Sequence, residues 1–235
     1  MDQEIVGSHI SRQFNADLED LKSHLMMMGG LVERQVQDAL LSMIALTVRG
    51  TEKRVNELEV AIDEECIRIL ALRQPAATDL RLVMAISKAI TDLERIGDEA
   101  SKIAKLALRL AEEGQAPRGY VELRHLGSHV REMLHRALDA FARFDVEQAL
   151  AVAQEDRAVD LEYDGAMRQM VTYMMEDPRS ISRALNVAWS LRALERVGDH
   201  ARNLAEQVIY LVKGQDIRHS NLEEIKRTIL KGQMT

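Results

Sequence analysis

Apolar residues recur at intervals of three and four along most of the chain, and no stretch sustains the alternation of a half-buried strand. This period predicts six main helices, over about 15–48, 51–72, 78–113, 121–144, 146–176 and 180–212. Gly29-Gly30 is a weak point inside the first. Pro75 closes the second, and Asp177-Pro178 stops the fifth. The stretch "EGQAPRG" at 113–119 combines Gly, Pro and Gly and is the strongest break in the chain. A charged tail after Gly214 is expected to add a short helix.

Three helices, a break and three more helices imply an all-α fold of two tandem three-helix bundles, residues 1–115 and 116–235. Short connections favour antiparallel neighbours, so each half should run up, down and up. A written repeat supports the division. "DLERIGDEA" at 92–100 returns as "ALERVGDHA" at 193–201, shifted by 101 positions.

Composition narrows the class. Pro and aromatic residues are scarce, while the helix formers Ala, Leu, Met, Glu and Arg are plentiful. Cys66 is the single cysteine, so neither an internal disulfide nor a thiolate cluster can form. At helical spacing with Ile62, Ile69 and Leu70, it reads as core. The start of the chain lacks a basic, then apolar, leader, and no apolar run is long enough to span a bilayer. A net charge of −7 with no basic stripe argues against nucleic acid as a partner.

The 101-residue offset also aligns carboxylates. Glu59, Asp63, Glu94 and Asp98 fall on Asp160, Asp164, Glu195 and Asp199. Each half therefore has two acidic i,i+4 pairs, one on its second helix and one on its third. Such a pair shares one helical face, and its like charges repel unless a cation sits between them. Two pairs on adjacent antiparallel helices would form an all-oxygen site suited to Mg, Mn, Ca or ferric iron. Five acidic pairs at this spacing occur among 38 acids, no more than chance provides, so their number says nothing. Their equivalent placement in both halves is what points to a site. The alternative is a solvated face with local ion pairs: Asp98 to Lys102, Asp164 to Arg168 and Asp199 to Arg202.

A helical wheel places Leu93, Ile86, Ala100, Ala104 and Ala107 on the buried arc of the third helix, with Glu94 and Asp98 on its shoulder. Leu58, Ile62 and Ile69 hold Glu59 and Asp63 in the same relation on the second, and Asp160/Asp164 and Glu195/Asp199 repeat this relation in the other half. The sites should thus lie in a surface groove between two helices, with Gly97 and Gly198 allowing close approach. That placement disfavours a di-iron oxidase, whose ligands occupy a bundle centre. Glu122/His125 and Glu132/His135 have its Glu-x-x-His spacing, but both lie on the fourth helix. No nucleophile elbow, Walker A loop or Gly-rich dinucleotide loop is present, so no enzyme activity is expected.

The chain resembles the PhoU family, accessory proteins of phosphate transport and regulators of bacterial phosphate signalling. The likeness rests on "ISRQFNADLEDL" (10–21), "MMMGGLVE" (26–33), "EVAIDEECIRILALRQPAATDLRLVM" (59–84), "DLERIGDEA", "VTYMMEDPR" (171–179), "ALERVGDHARN" (193–203) and "YLVKGQDIRH" (210–219). The resemblance implies a cytoplasmic, dimeric negative regulator that acts when phosphate is plentiful. It implies that the chain links a Pst-type phosphate ABC transporter, through its ATPase subunit, to a sensor histidine kinase, reaching the membrane only through these partners. The family's metal clusters match Glu59, Asp63, Glu94, Asp98, Asp160, Asp164, Glu195 and Asp199, with Fe, Mn, Mg or Zn as the ion. The stretch from Ser42 to Arg54 is shorter than in the family. A purely structural helical interaction bundle without a functional metal is the other function class.

Trp189 lies off the main apolar arc of the sixth helix, near Leu185 and Tyr210, and Lys88 is its equivalent in the first half. An apolar patch on one half alone suggests a contact surface, such as one for a dimer partner.

Overall fold

A computed structural model describes residues 2–42, 51–112 and 120–217. They form α1 (Asp2–Ser42), α2 (Thr51–Arg73), α3 (Ala77–Glu112), α4 (Tyr120–Arg143), α5 (Val146–Glu176) and α6 (Ile181–Lys213). A single 3-10 turn, Pro178–Ser180, joins the last two. The expected ends agree to within a residue for α2 to α6. The expected end of the first helix, the boundary at 115/116, the shortened stretch and the tail helix fall wholly or largely outside the described residues.

The local signals act as their chemistry dictates. Asp145 caps α5 by accepting from the Gln148 amide, and Asp177 ends it while capping the 3-10 turn that holds Pro178 at its start. Gly214 terminates α6 in the left-handed region, at φ 68°, with its amide on the Tyr210 carbonyl. The Gly29-Gly30 weak point does not interrupt α1, which also begins well before residue 15. Gly29 is there for packing: a Cβ would lie 2.6 Å from Leu138 of α4. That contact and the matching approach of Gly127 to Leu40 set α1 closely against α4.

α1, α2 and α3 pack as one three-helix group and α4, α5 and α6 as another. The groups meet chiefly through α3 and α6, with α1 against α4 as a second seam. Across the α3/α6 seam Glu99 meets Arg196 and Asp92 meets His200. The two helices therefore run antiparallel, with Ile96 level with Val197, its own equivalent. Both residues are fully buried. α6 is covered on nearly all sides: 20 of its 33 residues are buried, against 8 of 31 in α5. The apolar interior is one continuous cluster with members from all six helices. The two repeats thus share one core. No helix among the described residues is long and apolar enough to cross a membrane.

Candidate metal centre between α5 and α6

The packing of α5 against α6 brings part of the repeated acidic set together. Asp160 from α5 and Glu195 and Asp199 from α6 each offer a carboxylate oxygen, and these three oxygens lie within 4.8 Å of one another. The helices come this close because Gly198, between the two α6 acids, lies under Val159. A Cβ there would sit 3.2 Å from Val159 Cγ1. Gly97 does the same for the first half, facing Val55 of α2 and Gln35 of α1. Gly198→Val should push α5 outward and cost about 1–3 kcal/mol by overpacking. Urea unfolding measures this, and an unmoved midpoint would show that the spacing adjusts freely.

Glu195 is not on a surface shoulder, as the wheel suggested. It is 8% exposed, because α6 is enclosed by both its own bundle and α3. Its Oε1 accepts from Arg192 Nη1 at 2.7 Å. Its Oε2 is buried and has no hydrogen-bond partner. An unsatisfied carboxylate oxygen of this kind is costly in a folded interior. Burial, followed by the charge of Asp199, holds the Glu195 carboxyl above its ordinary range. Burial and then Asp160 do the same to Asp199.

Two further residues shape the site. Asp156 is buried, and its carboxylate accepts from Arg202 Nη1 at 2.9 Å, while Arg202 Nε donates to Glu206 at 2.9 Å. Burial keeps the Asp156 and Glu206 carboxyls raised despite that arginine. Asp156 stands one helical turn before Asp160, but its equivalent in the first half is Val55, so the repeat gave no reason to single it out. Asp164 is exposed and lies outside the converging group.

The first-half acids face each other more loosely. Glu59 and Glu94 are half-buried, and both carboxyls are raised. For Glu59 the causes are burial, then Glu94, Asp63 and Asp98; for Glu94 they are burial, then Asp98. Asp63 is exposed and accepts from Ser87 Oγ at 3.5 Å. Among the described residues these four do not draw as close as the second-half trio.

Of the local ion pairs that would make this an ordinary solvated face, Asp98 to Lys102, Asp164 to Arg168 and Asp199 to Arg202 do not form among the described residues, although Glu195 takes Arg192. Lys102 turns to Glu99, and Arg202 to Asp156 and Glu206, leaving Asp98 and Asp199 without them. Three converging carboxylates, one with an orphaned buried oxygen, fit a hard cation. The other chemical candidates have ordinary surroundings. Burial pushes the Cys66 thiol up to about 12, which removes it as a nucleophile near neutrality. His135 pairs with Glu33 on an exposed face, and His125 is exposed.

Trp189 is 53% exposed, and Leu185 beside it is partly exposed. Its surroundings are cationic as well as apolar. α3 and α6 bring Lys102, Lys105, Arg109, Arg192 and Arg196 around it. The absence of a basic stripe in the linear sequence therefore does not hold in three dimensions. Tyr210 lies elsewhere, under the Lys88 ammonium at 5.4 Å.

Comparison with known proteins places this architecture. The PhoU domain model matches residues 25–107 and again residues 123–208. The phosphate-specific transport system accessory protein PhoU homolog of Pseudomonas aeruginosa is 61% identical, over 94% of both chains. The phosphate-specific transport system accessory protein PhoU of Escherichia coli K12 is 48% identical, over 97% of both. The crystal structure of PhoU from Pseudomonas aeruginosa superposes with a TM-score of 0.84 at 62% identity, over 86% of this chain and 100% of that one. The phosphate transport system regulatory protein PhoU from Streptococcus pneumoniae gives 0.76 at 29% identity, over 86% and 98%.

Proposed function

This chain belongs to the PhoU family, and from that membership we propose that it is a metal-binding regulatory adaptor of phosphate uptake. In this reading it represses the phosphate-starvation response by linking a phosphate ABC transporter, through its ATPase subunit, to a sensor histidine kinase. It works in the cytoplasm as a homodimer and reaches the membrane only through those partners. Its relatives' names supply the transport system. Control comes from binding, since a helical adaptor biases a kinase by favouring one of its states.

The observation that carries the metal part is the buried, unpartnered Oε2 of Glu195 inside the Asp160, Glu195 and Asp199 group. These three residues would hold the cation in the second half. Glu59, Glu94 and Asp98 are their equivalents in the first, with Asp63 and Asp164 alongside. A bound ion would neutralise the acids and tie α5 to α6. An all-oxygen donor set favours Mg, Mn or ferric iron over Zn, which more often takes nitrogen and sulfur ligands.

Deletion of the gene in its own bacterium tests the regulator. Phosphate-starvation genes should be expressed at high level in phosphate-rich medium, and the wild-type gene should silence them. A folded variant with Asp160→Asn, Glu195→Gln and Asp199→Asn should bind less metal and fail to silence. If deletion leaves those genes repressed, the regulator reading is wrong and the purely structural bundle is the better account.

A further inference from the structure

Beside Trp189 the α3/α6 seam opens into a cleft of about 380 Å³. That volume lies within the range of small-molecule sites. Lys102, Lys105 and Arg109 stand at i, i+3 and i+7 on α3, a row about 10 Å long. Arg192 and Arg196, at i and i+4 on α6, line the facing wall.

Several of these cations are held in place. Glu99, 3% exposed in the floor, takes Lys102 Nζ and Arg196 Nη1, each at 2.9 Å. Glu195 takes Arg192 at 2.7 Å. Lys105 and Arg109 are exposed and have no ion pair among the described residues. Five cations thus face two buried carboxylates. Such crowding repels itself unless an anion enters.

The opposite end of the same seam shows that the fold does not require this. The repeat puts Lys88, Thr91 and Arg95 where Trp189, Arg192 and Arg196 stand, and Asn203, Glu206 and Tyr210 where Lys102, Lys105 and Arg109 stand. There Asp92 accepts from Asn203 and pairs with His200, Glu206 pairs with Arg202, and Lys88 covers Tyr210. Charge is balanced within the protein at that end and left in excess at this one.

We propose that the α3/α6 cleft binds a nucleoside polyphosphate, with the phosphate chain along the lysine and arginine rows and the base stacked on Trp189. Arginine and lysine are the side chains suited to phosphate oxygens. Two facing cationic walls fit a chain of phosphates better than one phosphate, which could meet only part of the row. The antiparallel seam puts Trp189 near Leu106 and Arg109, at the end of the cleft away from Glu99. An exposed indole there offers a stacking platform for a base. An extended nucleic acid is disfavoured by the net charge of −7 and by a cationic row only about 10 Å long.

Trp189 is the only tryptophan, so its fluorescence reports the site directly. The full chain is titrated with ATP in EDTA, which keeps any metal bridge to Glu195 out of the result. Saturable quenching is expected. Lys105→Glu with Arg109→Glu should weaken ATP at least tenfold while leaving helical content and melting unchanged. By calorimetry, Trp189→Ala should weaken ATP more than tripolyphosphate, and orthophosphate should bind far more weakly than either. The proposal is overturned if ATP shows no saturable binding at millimolar concentration, or if the charge reversals leave its affinity unchanged. It is equally overturned if tripolyphosphate matches ATP and Trp189→Ala affects neither, or if single-stranded DNA binds more tightly than ATP.

Discussion

Cut between Glu112 and Tyr120, the chain should give two fragments, neither of which is a stable monomer. The reason is the position of α3 and α6. Sixteen of 36 residues in α3 and 20 of 33 in α6 are buried, many of them against the other repeat. Separation would expose that seam to water at about 25 cal/mol per Å² of apolar surface, in domains whose net stability is only about 5–15 kcal/mol. It would also break the polar pairs made across the seam, Glu99 with Arg196 and Asp92 with His200. Each fragment should aggregate or self-associate with concentration-dependent melting, and mixing the two should restore a 1:1 complex with one cooperative transition. The measurement is sedimentation alongside circular dichroism. A monomeric 120–217 fragment that melts cooperatively within a few degrees of the intact chain would show that the repeats are independent domains.

The second large effect is metal-dependent, and one substitution reverses its sign. Asp160, Glu195 and Asp199 are crowded, and the Glu195 and Asp199 carboxyls are raised, first by burial. A carboxyl whose folded pKa lies above its unfolded value adds stability below the unfolded pKa and loses it as pH rises through the folded pKa. Metal-free protein should therefore lose this contribution as pH climbs from about 4 towards neutrality. Asp199→Asn removes one repelling charge, so the metal-free variant should melt about 1–2 °C higher at pH 7. Excess manganese or ferric ion inverts the order. At a hundredfold excess over Kd the parent should gain about 2.7 kcal/mol, or about 5–10 °C, and the variant should gain little. The gain should shrink towards pH 5, where protons compete for the carboxylates. Equal metal-induced shifts in parent and variant by calorimetry would remove Asp199 from the site.

The helices themselves were legible because their stops are local. Pro75 and Asp177-Pro178 act through backbone chemistry that needs no tertiary context. The wheel agrees with the structure on the apolar arcs: Leu93, Ile86, Ile62 and Ile69 are all buried. It failed at Glu195, which is enclosed because helices from both repeats pack on α6. It also missed the cationic cleft, whose two walls are ninety residues apart in the chain. Gly29-Gly30 looks like a weakness in the linear sequence, which carries no sign that Leu138 lies against Gly29. Asp156 has no acidic counterpart in the other repeat, where Val55 occupies its place, so the repeat does not mark it although one helical turn separates it from Asp160.

The level pairing of Ile96 with Val197 makes the chain an approximate two-fold object, a dimer of repeats closed within one polypeptide. Such an interface is isologous: the same patch of each repeat faces its counterpart, and it is consumed once they meet. A second copy of the chain cannot reuse that patch. Any association between chains must employ a different surface, at which the two repeats are free to differ. One repeat bears the crowded acidic trio and Trp189, while the other bears the looser acids and Lys88. Internal symmetry thus fixes the scaffold, while the unequal ends give it a polarity that a dimer of identical single repeats could not have.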